Sequence, residues 1–377
     1  MNQNEYIIRR NELNNNFLRE LNLANEDDIL NQFNMVSANL INFLPGINFS
    51  EHEAIFKNIL LHQQLSILEQ SSLSVLKHIS YEGMDNEVKS TLGTKPAIIC
   101  TFHTGSYRAI NLFLMNNKIP YSLVVAGKVI ETQGNVFNAL YQKICKPNKG
   151  NGFTLIDADV PTSALRMLRE LKQGRTLLIY IDGNAGAGKE TCENENHCTI
   201  SFLNQQIFAR KGIAFLAYTA GVPIMTVASY RKSFEDICIR FFPLLFPNNM
   251  MDRLTFAIQA TQKIYDMVAP MIREYPDQWE AWLYLHKVTH IINAENCSLL
   301  QKGNTIGNSF LFNSRQFGIL KIADTYFLLK KNTYTTYEID NTLHSFLAGV
   351  LAQKADRHLI SSKQFDQLCQ EAVLIEA

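Results

Sequence analysis

Nowhere in this chain do about 18 apolar residues run uninterrupted, the length that crosses a bilayer, so no transmembrane helix is expected. Net charge is also missing: Lys and Arg together count 35, and so do Asp and Glu. That balance argues against a nucleic-acid binder held by phosphate neutralisation. Met1-Asn2-Gln3-Asn4-Glu5 has no basic stretch leading into an apolar core, so no secretory leader is expected. Cysteine is sparse and odd in number, seven in 377 residues, at positions 100, 145, 192, 198, 238, 297 and 369. Such scatter makes no disulfide framework and fits a reducing cytoplasm.

What is present is an ordinary globular composition, 46% hydrophobic and 19% charged, long enough for one large domain and a small one. Three regions are expected. Residues 1–79 carry Leu13, Phe17, Leu21, Ile29, Phe33, Leu40, Ile55, Ile59 and Leu65 at helical spacing, broken at Pro45-Gly46, with Ser50 to Glu53 as a capping box. Their apolar faces are expected on the main domain or a partner, with a peripheral membrane surface as the alternative. Residues 80–295 alternate short apolar runs with helical patterns, which predicts an α/β domain with a mostly parallel sheet covered by helices. Its expected strands are 79–83, 97–102, 121–126, 153–156, 176–181, 224–229 and 237–242. Helices are expected over 109–115, 136–144, 161–173, 206–220, 250–273 and 277–292. Residues 305–377 read as a small α+β module, three strands (310–312, 318–323, 326–331) followed by helices at 337–351 and 361–373.

The stretch with most chemical content is Ala97-Ile-Ile-Cys-Thr-Phe-His103-Thr-Gly105-Ser-Tyr-Arg108. An uncharged strand runs into a helix through a His-x-Gly turn, which places His103 at a strand's carboxyl end, where open α/β sheets hold ligands. Histidine, with an ordinary pKa of about 6.5, accepts a proton near neutrality, and a carboxylate on its other nitrogen would orient it. Asp182, ending strand 176–181, is the first candidate for that carboxylate; Glu131 and Glu190 are weaker ones. As a bland alternative, Asp182-Gly183-Asn184 is an ordinary turn. Gly183-x-x-Gly186-x-Gly188-Lys189 falls short of a phosphate loop and reads as a lid. Cys192, His197 and Cys198 match no common zinc spacing, so no metal is expected. Trp279 and Trp282 read as core anchors.

Several ordered blocks between His78 and His286, more than half of the chain, resemble the bacterial lysophospholipid acyltransferase-like superfamily, in its lauroyl/myristoyl (lipid A biosynthesis) branch. They are Tyr81-Glu-Gly-Met84, Phe102-His-Thr-Gly-Ser-Tyr107, Ala164 to Gly174 running into Leu177 to Asp182, Ser201-Phe-Leu-Asn204 with Ala209 to Pro223, and Tyr275-Pro-Asp-Gln-Trp279. The resemblance implies fatty acyl transfer from acyl carrier protein or coenzyme A to a hydroxyl or amine, with His103 as base and no permanently bound cofactor. The family's acid, five residues after the histidine, is replaced here by Arg108. Arg108 is then expected to contact a substrate anion, with Gly105, Ser106, Tyr107, Arg166 and Arg210 also lining the substrate site and Lys128 on the same basic rim. Without a membrane span, a peptide, natural-product or lipid acceptor reached from the cytoplasm, if need be at the inner-membrane surface, is the expected partner. The other reading is a non-catalytic relative that binds acyl carriers or peptides, its acid lost to Arg108. The last module is similar to small winged-helix peptide-recognition domains, which implies peptide binding at a strand edge.

Overall fold

The computed structural model describes residues 3–21, 23, 26–145, 152–183, 195–248, 250–292 and 310–377. The chain forms two compact units, one of residues 1–20, 57–202 and 207–281, the other of residues 21–56, 203–206 and 282–377. The expected boundaries at 79/80 and near 300 differ from this division. Helical periodicity marks an apolar face without naming what covers it. In the second unit the helix Asp27–Phe43 turns its buried Asn34 and part-buried Asn31 to the carbonyls of Ile319 and Lys321, far along the chain.

The first unit is built on seven strands: β1 (Ile79–Glu82), β2 (Ile98–Thr101), β3 (Tyr121–Val125), β4 (Phe153–Asp157), β5 (Thr176–Tyr180), then Ile224–Arg231 and Ile237–Phe241. The last two are β8 and β9, after the β6–β7 hairpin strands His197–Phe202 and Gln205–Arg210. Sheet order is β1-β9-β8-β2-β5-β3-β4, parallel throughout except at β8–β9. The fold is therefore α/β with a mostly parallel sheet. Every residue of β2 and β8 is buried, which explains why most of their residues are apolar.

Helices fill the crossovers. In chain order α1 is Gln3–Glu20, α2 the Asp27–Phe43 helix, α3 His52–Gln70, α4 Asn86–Thr94, α5 Ala109–Asn116, α6 Gly127–Cys145, α7 Ser163–Lys172, α8 Gly212–Ala220 and α9 Arg253–Glu274. Helix α5 is buried from Ala109 to Met115 and joins the main core with Leu123, Phe137, Phe153, Leu178 and Met225. The capping box expected at Ser50 lies two residues earlier, where Asn48 accepts from Ser50 N–H and Glu51 accepts from Asn48 N–H.

Two expected helices differ: of 206–220, Gly212–Ala220 is helix and the start is not, and 277–292 is not one helix. Residues 205–210 are strand, since Gln205, Ile207 and Ala209 are buried while the residues between them are not, a period of two. Residues 276–288 are short 3-10 turns, because the backbone of 278 and 280 is taken up by the His103 turn. In the second unit, Phe317–Ile322, Thr325–Lys330 and Thr335–Ile339 form an antiparallel sheet whose third strand was expected to open a helix. Helices Asn341–Leu351 and Ser362–Gln370 follow, and Leu374–Glu376 pairs with Phe310–Phe312. No helix among the described residues is long and apolar enough to cross a membrane.

Candidate active site

Strands β2 and β5 run side by side with Thr101 opposite Tyr180. Two residues further along each chain, that register brings 103 opposite 182. His103 Nδ1 lies 2.7 Å from Asp182 Oδ1, across 79 residues of sequence. A carboxylate only accepts, so Nδ1 carries the proton and donates it. The backbone N–H of His103 also donates to both Asp182 oxygens, at 3.2 and 3.0 Å. Asp182 Oδ2 accepts the indole N–H of Trp279 at 2.7 Å. The side chain of Asp182 is 3% exposed and that of His103 18%. The carboxylate is thus enclosed while the imidazole keeps a partial exposure to solvent. Burial pulls the imidazole pKa down, but the charge and hydrogen bond of Asp182, then the charge of Glu280, outweigh it against Arg108, and the net direction is upward.

The 278–280 segment holds the turn. Glu280 N–H donates to His103 O and Gly105 N–H to Gln278 O, each at 2.9 Å, around an antiparallel bridge of Thr104 with Trp279. Gly105 has φ +51°, and a Cβ there would stand 2.8 Å from Tyr230 Cα, so glycine is required by both backbone and space. Its amide is committed to Gln278, and its role is the turn rather than substrate contact. Ser106, expected at the substrate, is instead fully buried and donates to Glu69 Oε2 at 2.6 Å. Glu69 also accepts from Tyr6 and pairs with the buried Arg231. Arg231 donates to His62 Nδ1 at 3.2 Å, and burial with that cation pushes His62 down to about 3, so it stays neutral. Gln278 closes the ring, its amide meeting Arg231 N and O at 2.7 and 2.9 Å.

Tyr107 does stand at the imidazole: its ring and that of Tyr180 lie 4.8 and 4.7 Å from the His103 ring, centre to centre. Burial above all pushes both phenols up, so both remain neutral. Tyr107 O–H donates to Glu280 Oε2 at 3.2 Å. Arg108 Nη1 donates to Gln70 and Gln133 at 2.8 and 3.1 Å, its guanidinium 5.2 Å from the Tyr107 ring centre. Gly183 follows the acid, where a Cβ would lie 3.6 Å from His103 Cε1.

The expected basic rim does not converge on His103. Lys128, Arg166 and Arg210 are exposed on α6, on α7 and at the end of β7, and only Arg108 is felt by the imidazole. Glu131 is exposed on α6, while Asn184, Gly186, Gly188, Lys189, Glu190 and Cys192 lie outside the described residues. Cys198 is buried in β6, and no cluster of metal-ligating side chains occurs among the described residues. Sequence reasoning missed Glu280 and the polar half of Trp279. The block that contains them, Pro276-Asp-Gln-Trp279-Glu280, was the available signal. No family model matches this chain, and no curated protein does.

Proposed function

We propose that the protein is an acyltransferase in which His103 is general base and Asp182 the acid that orients it. It moves a fatty acyl chain from an acyl carrier protein or coenzyme A thioester to an amine or hydroxyl of a peptide, natural-product or lipid acceptor. The observation that carries this reading is the 2.7 Å contact of His103 Nδ1 with a buried Asp182, in an imidazole that is itself partly exposed. With the proton fixed on Nδ1, Nε2 holds the lone pair. There it accepts the acceptor's proton as that group attacks the thioester carbonyl, and returns it to the leaving thiolate. The imidazolium formed between is stabilised by Asp182.

The resemblance to the lysophospholipid acyltransferase-like superfamily supports the same reaction, with one difference in wiring. There the acid follows the histidine within one turn; here Arg108 occupies that position and Asp182 serves the same nitrogen from the next strand. A carboxylate on Nδ1 favours the enzyme over a non-catalytic binder.

The test is thioester consumption. Full-length protein is incubated with acyl-carrier-protein or coenzyme A thioesters and mixed acceptors, and free thiol and acylated product are followed. His103→Ala is expected to abolish transfer with the fold intact, and Asp182→Asn to reduce it by about 10⁴-fold, as in triads that lose the orienting acid. Transfer unchanged by His103→Ala removes the mechanism.

A further inference from the structure

Two opposite charges stand beside the imidazole in addition to Asp182. Glu280 is fixed through its backbone to His103 O, and its carboxylate accepts the Tyr107 phenol at 3.2 Å. Arg108 reaches two amide oxygens, those of Gln70 and Gln133, and its Nε is buried with no partner. Neither charge forms an ion pair with the other or with any described residue. Tyr107 touches both, with its hydroxyl on the carboxylate and its ring 5.2 Å from the guanidinium carbon, while packing edge-on against His103 at 4.8 Å. The imidazole feels both with opposite sign, Glu280 favouring its proton and Arg108 opposing it.

A part-buried carboxylate and a part-buried guanidinium, each short of a counter-charge, are costly unless a ligand supplies both. We propose that the acceptor is a zwitterion of the amino-acid type, its ammonium directed to Glu280 and its carboxylate to Arg108, which sets its nitrogen at His103 Nε2. The proposal rests on the acyl-transfer reading of the site and narrows the acceptor from any amine or hydroxyl to this class. Arginine's planar fork suits a carboxylate, and the neutral rings of Tyr107 and Tyr180 offer faces to an ammonium. An acceptor with one charge satisfies only one of the two residues, and an uncharged alcohol neither.

The reaction balances without a co-reactant. The bound ammonium loses one proton to solvent. The amine nitrogen then attacks the thioester carbon, so that the C–N bond forms as the C–S bond breaks. The remaining surplus proton passes through His103 Nε2 to the thiolate, and the products are an N-acyl amino acid and a thiol.

The test separates acceptor binding from transfer. Full-length protein carrying ¹⁵N-histidine is titrated with glycine, L-leucine and L-ornithine, and in parallel with L-leucinamide, which lacks the carboxylate, and acetate, which lacks the ammonium. At least one zwitterion is expected to shift the His103 ring resonances saturably, with leucinamide and acetate at least about tenfold weaker. Glu280→Gln and Arg108→Gln are each expected to weaken it by a similar factor, and Arg108→Lys to recover part of the loss. Acetate binding as well as the zwitterions reduces the site to an anion contact, leucinamide doing so reduces it to a cation contact, and no shift at millimolar concentration removes it; each overturns the proposal. The ligand series on the unaltered protein decides even if a variant misfolds. Thioester consumption is followed in the same samples. Zwitterion binding without transfer overturns the acyltransferase reading alone, and transfer to alcohols without zwitterion binding overturns the acceptor class alone.

Discussion

The indole N–H of Trp279 donates to Asp182 Oδ2 at 2.7 Å, the oxygen left over when His103 Nδ1 takes Oδ1. A residue 97 positions further along the chain thus fixes the rotation of the carboxylate. It leaves the base one orientation. Trp279→Phe keeps an aromatic ring beside Phe202 but deletes that donor and part of the buried ring volume. The buried carboxylate then keeps only its bonds from His103, and losing one donor to a charged acceptor costs about 1.5–3 kcal/mol. Denaturant unfolding is expected to register that loss, and thioester consumption to fall by about tenfold or more.

The His103–Asp182 pair has a pH signature. The folded pKa of His103 is raised, so its contribution to stability is fully present below the ordinary value of about 6.5 and is lost as pH rises through the folded value. In the proposed role of base it must be unprotonated, so activity is expected to rise through that same folded value. In Asp182→Asn the ring titration followed by NMR moves to lower pH, and the acid limb of the rate profile moves with it. Identical titrations in the two proteins would show that the carboxylate does not govern the base.

Ser106, Glu69 and Arg231 are expected to act on stability rather than on acceptor affinity. Glu69→Ala leaves the Arg231 guanidinium buried and uncompensated, a loss of about 3–5 kcal/mol. Ser106→Ala removes one donor from Glu69 and costs about 1–3 kcal/mol. Urea midpoints check both, and a Ser106→Ala variant with wild-type stability would remove the network from the account of the turn.

The second unit carries its own titration. Lys331 is 1% exposed, donating to Ser37 Oγ and Ser314 O between the rings of Phe33 and Phe49, and burial pushes its ammonium down to about 7. Ser37 also meets His52, which burial and Lys331 push down to about 4. Between about 7 and 10.4 the unfolded chain binds the extra lysine proton, so stability is expected to rise with pH by up to about 1.4 kcal/mol per unit. Lys331→Met is expected to flatten that slope in urea titrations across the range.

The sheet was legible because buried parallel strands are rich in apolar residues, as in Ile98–Cys100 of β2, Leu177–Ile179 of β5 and Ile224–Ala228 of β8, which only Thr226 interrupts. The meeting of His103 with Asp182 was legible for a related reason, since adjacent parallel strands end at one edge. Trp279 was read only as bulk. A tryptophan's ring announces burial, but nothing local to it says what its N–H will meet 97 positions away. Residues 276–288 misled in the same way, because their backbone partners are the His103 turn rather than their own next turn. Periodicity likewise marked the apolar face of α2 without identifying Ile319 and Lys321 opposite it.

In the proposed acyltransferase, an acid just past the end of β5 rather than one turn after the histidine separates two jobs that a compact motif would fuse. Position 108 is released from hydrogen bonding to His103, and a change there alters only the charge that the imidazole feels. The residue that caps α5 would then be the place where the proposed acceptor preference can drift, or be selected from a library at one codon, while the His103–Asp182 pair stays as it is.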